Sequence, residues 1–229
     1  MGAPTLASYP FSEQRAAVVS QLEERGITQT AVLHAINAIP REQFIPSVWQ
    51  EFSYCNQPLP IPGGQTISQI FIIATMIQAL NIQPNHRVLE IGSGSGYAAA
   101  ILCQLSVEVY AVERLPELVA YAQERLAALD ITNVAIRHAN GTLGWPEAAP
   151  FDAILVSAGG PHIPKALKMQ LAVHGRLVMP VGETPHYQAL RLLRRISARK
   201  YTAKTLAPVA FVPLVGANGW PAEEPIPTS

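Results

Sequence analysis

Apolar positions along the chain follow two different periods, and the change between them divides the sequence. Over residues 12–38 apolar side chains recur at helical spacing, which predicts two helices. SEQRAAVVSQLEERG ends at Gly26, and TQTAVLHAINAI ends before Pro40. The stretch from Pro40 to Gly64 is rich in Pro, aromatic and polar residues and reads as loop without clear strands. Ser68 then stands as a candidate cap for a helix through QIFIIATMIQAL.

From Arg87 onward short β-branched and apolar runs alternate with helical ones. RVLEI, EVYAVE, NVAIRH, FDAILVSA and GRLVMPVG read as strands, with YAAAILCQL and PELVAYAQERLAAL as helices after the first two. Such alternation predicts an α/β fold, a doubly wound, mostly parallel sheet covered on both faces. Two strand-like runs within 188–215 are expected to close one sheet edge as an antiparallel hairpin. The predicted organisation is therefore an N-terminal helical and loop extension over 1–80, an α/β domain over 81–216, and a flexible tail over 217–229.

Composition narrows the classes. The chain has 229 residues, 49% of them hydrophobic and 14% charged, with a formal net charge of zero. Only RLLRRISARK, Arg191 to Lys200, is strongly basic, and it reads as a solvated strand or edge face, so no nucleic-acid partner is expected. Cys55 and Cys103 form neither a disulfide framework nor part of a metal cluster, and Cys103 is expected to pack as a small hydrophobe. No apolar run reaches the roughly 18 residues of a membrane helix. The first residues lack a secretory pattern, and Leu6 stands where myristoylation after Met1-Gly2 requires Ser or Thr. A cytoplasmic monomer without a metal is expected.

The strand RVLEI runs straight into Gly92-Ser93-Gly94-Ser95-Gly96. Glycines there let the backbone turn tightly and let a ligand lie against the main chain. Gly94 to Ala99 also matches a loose dinucleotide pattern, but that match starts late. Glu90, just before the turn, would repel a pyrophosphate and suits a ligand bearing a sulfonium and an ammonium, S-adenosyl-L-methionine. Glu113 ends the next strand, where a carboxylate can accept from both ribose hydroxyls.

PREQFIP, PLPIPGGQTISQ, VLEIGSGSGY, HANGTLGWP, PFDAILVSA and FVPLVG follow one another in the order found in protein-L-isoaspartate O-methyltransferases. The chain resembles that family over roughly residues 15–216. PLPI with GQTIS is specific to the family, whereas VLEIGSGSGY is common to many methyltransferases. The resemblance implies repair of damaged proteins. Methyl transfer from S-adenosyl-L-methionine to the freed α-carboxylate of an isoaspartyl residue leaves S-adenosyl-L-homocysteine. The ester then collapses to a succinimide whose hydrolysis restores some normal aspartate. It implies that Gln65, Thr66, Ile67 and Ser68 lie between cofactor and substrate, with Ser68 the active-site serine. Glu90 would hold the methionine part, Glu113 the ribose, and Asn140 and Gly141 the adenine, with Gly92, Gly94 and Gly96 in the cofactor-binding turn. Leu59, Pro60, Ile61, Phe211, Val212, Pro213 and Leu214 would meet the substrate. The partners implied are isoaspartyl proteins or peptides.

The sequence departs from the family pattern at Asn140, where Asp is usual, at Ile70, where Pro is common, and in SAGGP after the fourth strand of the α/β region. The first bears on adenine contact and the others on substrate choice. A small-molecule carboxyl or O-methyltransferase on the same scaffold, and a non-catalytic S-adenosyl-L-methionine-binding interaction protein, are the alternative readings. His138, His162, Trp145 and Trp220 are expected to have surface or packing roles.

Overall fold

The computed structural model describes residues 10–221; the readings of Met1-Gly2 and Leu6, and of the tail beyond Pro221, lie outside them. Helices α1 (Phe11–Glu24) and α2 (Thr30–Ala38) match the expected pair. Gly26, at φ 93°, ends α1. The amide of Gly26 donates to the Glu23 carbonyl and that of Ile27 to the Leu22 carbonyl, each at 2.9 Å, which satisfies carbonyls that the last turn leaves open. Helix α2 receives help from afar: Oε1 of Gln78 accepts from the backbone of Thr28 at 2.7 Å and of Gln29 at 3.0 Å.

The Pro40–Gly64 stretch is not free of strands. After two short 3₁₀ turns, β1 (Leu59–Ile61) and β2 (Gln65–Ile67) pair antiparallel, with Leu59 opposite Ile67. In the three-residue loop 62–64, Gly63 and Gly64 both have positive φ, 68° and 65°, which glycine adopts without strain. Prolines at 58, 60 and 62 hide this hairpin from a periodicity reading, although Gly63-Gly64 announces it. Helix α3 (Ile70–Leu80) begins one residue later than a Ser68 cap requires. Its flanking residue is Gln69, whose carbonyl accepts from Ile72 and Ile73 at 3.1 Å, and no side chain caps it. Ser68 is therefore not the helix cap.

The main sheet comprises β3 (Arg87–Ile91), β4 (Glu108–Glu113), β5 (Val134–His138), β6 (Phe151–Val156), β7 (Leu171–Thr184), β8 (Tyr187–Arg195) and β9 (Tyr201–Val209). Helices α4 (Tyr97–Leu105), α5 (Pro116–Ala128) and α6 (Lys165–Gln170) connect its parallel strands. Its order is β5-β4-β3-β6-β7-β8-β9. The first five strands are parallel, and β8 and β9 run antiparallel. This is the expected doubly wound sheet with an antiparallel edge. Winding reverses between β3 and β6, so the crevice beyond their carboxyl ends is where such a sheet takes a ligand.

Alternation along β3 sends Val88 to one apolar core and Leu89 and Ile91 to the other. The first core also holds Val18, Leu22 and Ile36 from the N-terminal helices and nearly all of α4, including Cys103. No break in packing therefore marks residue 80, where the extension was expected to end. The basic run does not form the edge, because β8 lies between β7 and β9.

After β9 the chain turns back over the sheet top. Gly159 donates to the Val212 carbonyl at 2.8 Å and accepts from Leu214 at 2.7 Å. The tail expected from Ala217 starts instead as a bonded turn. Gly219 donates to Gly216 at 3.0 Å and Trp220 to Leu214 at 2.8 Å. Among the described residues no helix is long and apolar enough to cross a membrane, and no His, Cys, Asp and Glu cluster could hold a metal ion.

Candidate active site

The glycine turn sits at the reversal point. Gly92, Gly94 and Gly96 have φ of 80°, 51° and 89°, a region costly for residues with a Cβ. Gly96 has a second reason: a Cβ there would lie 3.1 Å from the Ala122 Cβ, so glycine lets α5 approach the turn. The turn is held from both sides. Gly92 donates to the Val112 carbonyl and Ser157 to the Ile91 carbonyl, each at 2.8 Å.

A cavity opens above this turn. Gln65, Thr66, Ile67 and Ser68 line it on one side, Glu90, Gly92 and Gly94 below, and Glu113 and Gly141 beyond. Ser157, Ala158 and the segment Val212 to Val215 close the rest. Glu90 is fully buried, and neither carboxylate oxygen has a hydrogen-bond partner among the described residues. Burial, aided by the Glu113 charge, pushes its pKa up to about 8. Ser93 Oγ is likewise buried without a partner, and Tyr97, whose hydroxyl lies on the Arg41 side, also lines the cavity. Buried acceptors of this kind call for a ligand that donates hydrogen bonds and carries positive charge.

Glu113 is differently placed. Its Oε2 accepts from Gly94 at 3.0 Å, and its Oε1 from the amides of Arg114 at 2.7 Å and Leu115 at 3.0 Å. The carboxylate thus ties the glycine turn to the end of β4 while facing the cavity.

A second cleft adjoins the first. Pro58, Gln69, Ile72 and residues 208–212 line it, and it shares Thr66, Ser68, Ser157 and Val212 with the cavity. Ser68 therefore faces both spaces. Arg41, fully buried, fixes the backbone there. Its Nη2 donates to the Ser68 carbonyl and its Nε to the Ser53 carbonyl, both at 2.9 Å. The guanidinium lies 4.9 Å from the Tyr97 ring centroid, and burial draws its pKa down to about 10.

Most expected site residues meet at these two spaces, but five do not line either. Asn140 turns inward, its Oδ1 accepting from Thr142 N at 3.0 Å and Thr142 Oγ1 at 2.8 Å, which caps the 3₁₀ turn Gly141–Leu143. Gly96 lies behind the turn. Leu59 and Ile61 are buried in the core and Pro60 is exposed. Their place is in the hairpin that carries Gln65 to Ile67, and Ile61 reaches toward Gly94. Sequence reasoning missed Arg41, Ser93, Tyr97 and Ser157. Arg41 carried one signal, a cation beside Pro40 and close to the apolar Phe44 and Ile45, both of which are buried. It also missed Gln188, a buried polar residue of β8. A Cβ on Gly159 would overlap the Gln188 carboxamide, and one on Gly160 would lie 2.7 Å from the Met179 methyl, which accounts for the two glycines of SAGGP.

Residues 13–219 match the model of the protein-L-isoaspartate(D-aspartate) O-methyltransferase family. Protein-L-isoaspartate O-methyltransferase 2 of Marinobacter nauticus is 50% identical over 208 residues, 91% of this chain and 95% of the relative. Protein-L-isoaspartate O-methyltransferase of Methylorubrum extorquens is 52% identical over 202 residues, 88% of each. A solved protein-L-isoaspartate O-methyltransferase superposes with a TM-score of 0.82 at 26% identity, over 90% of this chain and 67% of the other. A Plasmodium falciparum structure, described as a β-aspartate methyltransferase in complex with S-adenosyl-L-homocysteine, gives 0.75 at 26% identity, over 86% and 96%.

Proposed function

Since the chain belongs to the protein-L-isoaspartate(D-aspartate) O-methyltransferase family, we infer that it transfers a methyl group from S-adenosyl-L-methionine to the α-carboxylate of L-isoaspartyl residues. The observation that supports this reading best is the meeting of two spaces at Ser68. One is lined by the unpartnered carboxylate of Glu90 and hydroxyl of Ser93, and the other is a mainly apolar cleft walled by Pro58, Ile72 and residues 208–212.

S-adenosyl-L-methionine supplies a methyl group on a positively charged sulfur. Glu90, with Ser93, would hold the cationic amino-acid end, because their buried polar atoms need hydrogen-bond partners. Glu113 would meet the ribose, and Gly141, where no Cβ intrudes, would lie beside the adenine. The acceptor is a carboxylate, already ionised near about pH 7, so no general base is required. The protein's part is alignment and exclusion of water. Ser68 would orient the acceptor carboxylate, on a backbone that Arg41 holds still. Val212 and Pro213 would cover it.

Incubation with methyl-labelled cofactor and matched isoaspartyl, aspartyl and asparaginyl peptides tests the assignment. Label should enter the isoaspartyl peptide with little in its aspartyl counterpart. Equal labelling of both, or none of either, would overturn it.

A further inference from the structure

The second cleft does not end at Phe211. Pro208 and Val209, at the end of β9, belong to its wall, and the same two residues belong to a shallow groove under the β7–β8 hairpin tip. Val181 and Ala189 continue the apolar floor, and the exposed Glu183 and His186 flank it. Over this groove stands Tyr187, 82% exposed. The ring does not stand alone, because it lines the same groove as the apolar Val181, Ala189, Pro208 and Val209, and contiguous apolar surface of this kind marks contact sites.

The tip is built to hold its place relative to the cleft. Gln188, next to Tyr187, is buried, and its Nε2 donates to the Pro185 carbonyl at 2.6 Å and to the Phe211 carbonyl at 3.0 Å. The amide of Tyr187 donates to Thr184 Oγ1 at 3.3 Å. One carboxamide thus joins the hairpin tip to the segment that covers the cleft, and cleft and groove share a continuous wall.

We propose that this groove is an outer subsite for the polypeptide that flanks the isoaspartyl residue, with Tyr187 as its principal contact. The proposal rests on the activity inferred above. A damaged residue lies within a chain, and that chain must leave the cleft along some surface. The groove begins where the cleft wall ends, and its apolar floor accepts many sequences. A tyrosine ring offers large contact area at little conformational cost, which suits a partner defined by its lesion and not by its neighbours.

The test uses a core peptide with isoaspartate at its centre and two longer ones, extended on the amino or the carboxyl side. The wild-type enzyme should show a KM lowered roughly three- to tenfold by extension on one side, as expected for one aromatic contact. Tyr187→Ala should abolish that gain and leave the core peptide's kcat and KM unchanged. Tyr187→Phe, which keeps the ring, should retain the gain. No gain in the wild type, an equal gain in Tyr187→Ala, or an equal loss on core and extended peptides would overturn the subsite. Sedimentation run in parallel identifies the other occupant. A dimer lost in Tyr187→Ala without a length-dependent KM would assign the groove to a second copy of the chain and overturn the proposal. Failure of the wild type on every isoaspartyl peptide would fall on the inferred activity instead.

Discussion

The carboxamide of Gln188 pairs with both backbone groups of Phe211, as a neighbouring strand would. The Phe211 amide donates to Oε1 at 3.1 Å, and Nε2 donates to the Phe211 carbonyl at 3.0 Å. This side chain substitutes for a ladder rung where β8 no longer pairs with the returning chain. It also fills the space that a Cβ on residue 159 would need.

Gln188→Leu should therefore act on substrate and stability together. Leaving buried backbone groups unpaired costs about 1–3 kcal/mol, so the melting temperature should fall. KM for the isoaspartyl peptide should rise because Phe211 and Val212 lose their anchor, whereas cofactor affinity should hold. Gln188→Glu keeps the shape but sets an oxygen against the Pro185 and Phe211 carbonyls, and should be no better tolerated. Peptide kinetics and cofactor calorimetry on the same preparations check the split. An unchanged KM in a protein of lowered stability would reduce Gln188 to a packing residue.

Ser68 and Glu113 should fail in opposite ways. Ser68→Ala keeps the Arg41 bond, which goes to the backbone carbonyl, and should lower kcat about tenfold or more while cofactor affinity stays within a few-fold. Glu113→Ala removes an acceptor of three backbone amides at the cavity wall. With charge-assisted bonds worth about 1.5–3 kcal/mol each, cofactor Kd should rise at least tenfold. Saturating cofactor would then restore much of kcat in Glu113→Ala and none in Ser68→Ala. The reverse pattern would exchange the two roles.

Glu90 makes cofactor binding depend on pH. Its pKa, about 8 against an ordinary 4.5, leaves the free enzyme mostly protonated there at neutral pH. Binding a cation favours the carboxylate, so binding should release a proton. Cofactor Kd should tighten up to tenfold per pH unit as pH rises toward about 8, then level off. The same shift weakens the free fold as pH rises. Between 4.5 and about 8 the unfolded chain has given up a proton that the folded chain retains. Stability should fall across that window and be flat in Glu90→Gln with respect to this group. Calorimetry in buffers of different ionisation enthalpy counts the proton; a pH-independent Kd would place Glu90 outside the binding event.

The α/β half was legible because each strand and helix there carries its own period, and the acids that matter stand at strand ends. Glu90 and Glu113 could be singled out from position alone. The rest depends on contacts that no local pattern encodes. Arg41 reads as a polar residue in a loop until Ser53 and Ser68 close around it. Gln188 reads as the polar member of an alternating strand until Phe211, 23 residues on, returns to meet it. Asn140 was expected beside the adenine because, with Gly141, it stands where the family usually has Asp-Gly. The fold uses its side chain for the turn and only Gly141 for the cavity.

That placement of Asn140 alters what the Asn-Gly pairs should do with age. Cyclisation needs the glycine nitrogen to reach the side-chain carbon of the preceding asparagine. At Asn140 the side-chain oxygen is fixed by two bonds from Thr142, and Gly141 is packed so closely that a Cβ would lie 2.6 Å from the Ile91 methyl. At Asn218 the Gly219 nitrogen donates to Gly216 at 3.0 Å, and a Cβ on Gly219 would overlap the Leu214 carbonyl. Both pairs should thus age far more slowly in the folded enzyme than in guanidinium. Asn218, in a surface turn outside the sheet, should still change before Asn140. The two sites also touch through Gly219 and Gly216, which lie against Thr142 and Asn140, so cofactor that steadies Gly141 should slow both. Asn140→Asp keeps the acceptor that Thr142 needs and should bind cofactor about as well as the parent, since charged acceptors make the stronger bonds. Asn140→Ala leaves the Thr142 amide and hydroxyl without that acceptor and should weaken binding. Peptide mapping of protein aged folded and unfolded, with cofactor titrations of both variants, decides the matter. Faster change at Asn140 in the folded state, or a large loss of affinity in Asn140→Asp, would mean that the side chain leaves the turn for the cavity.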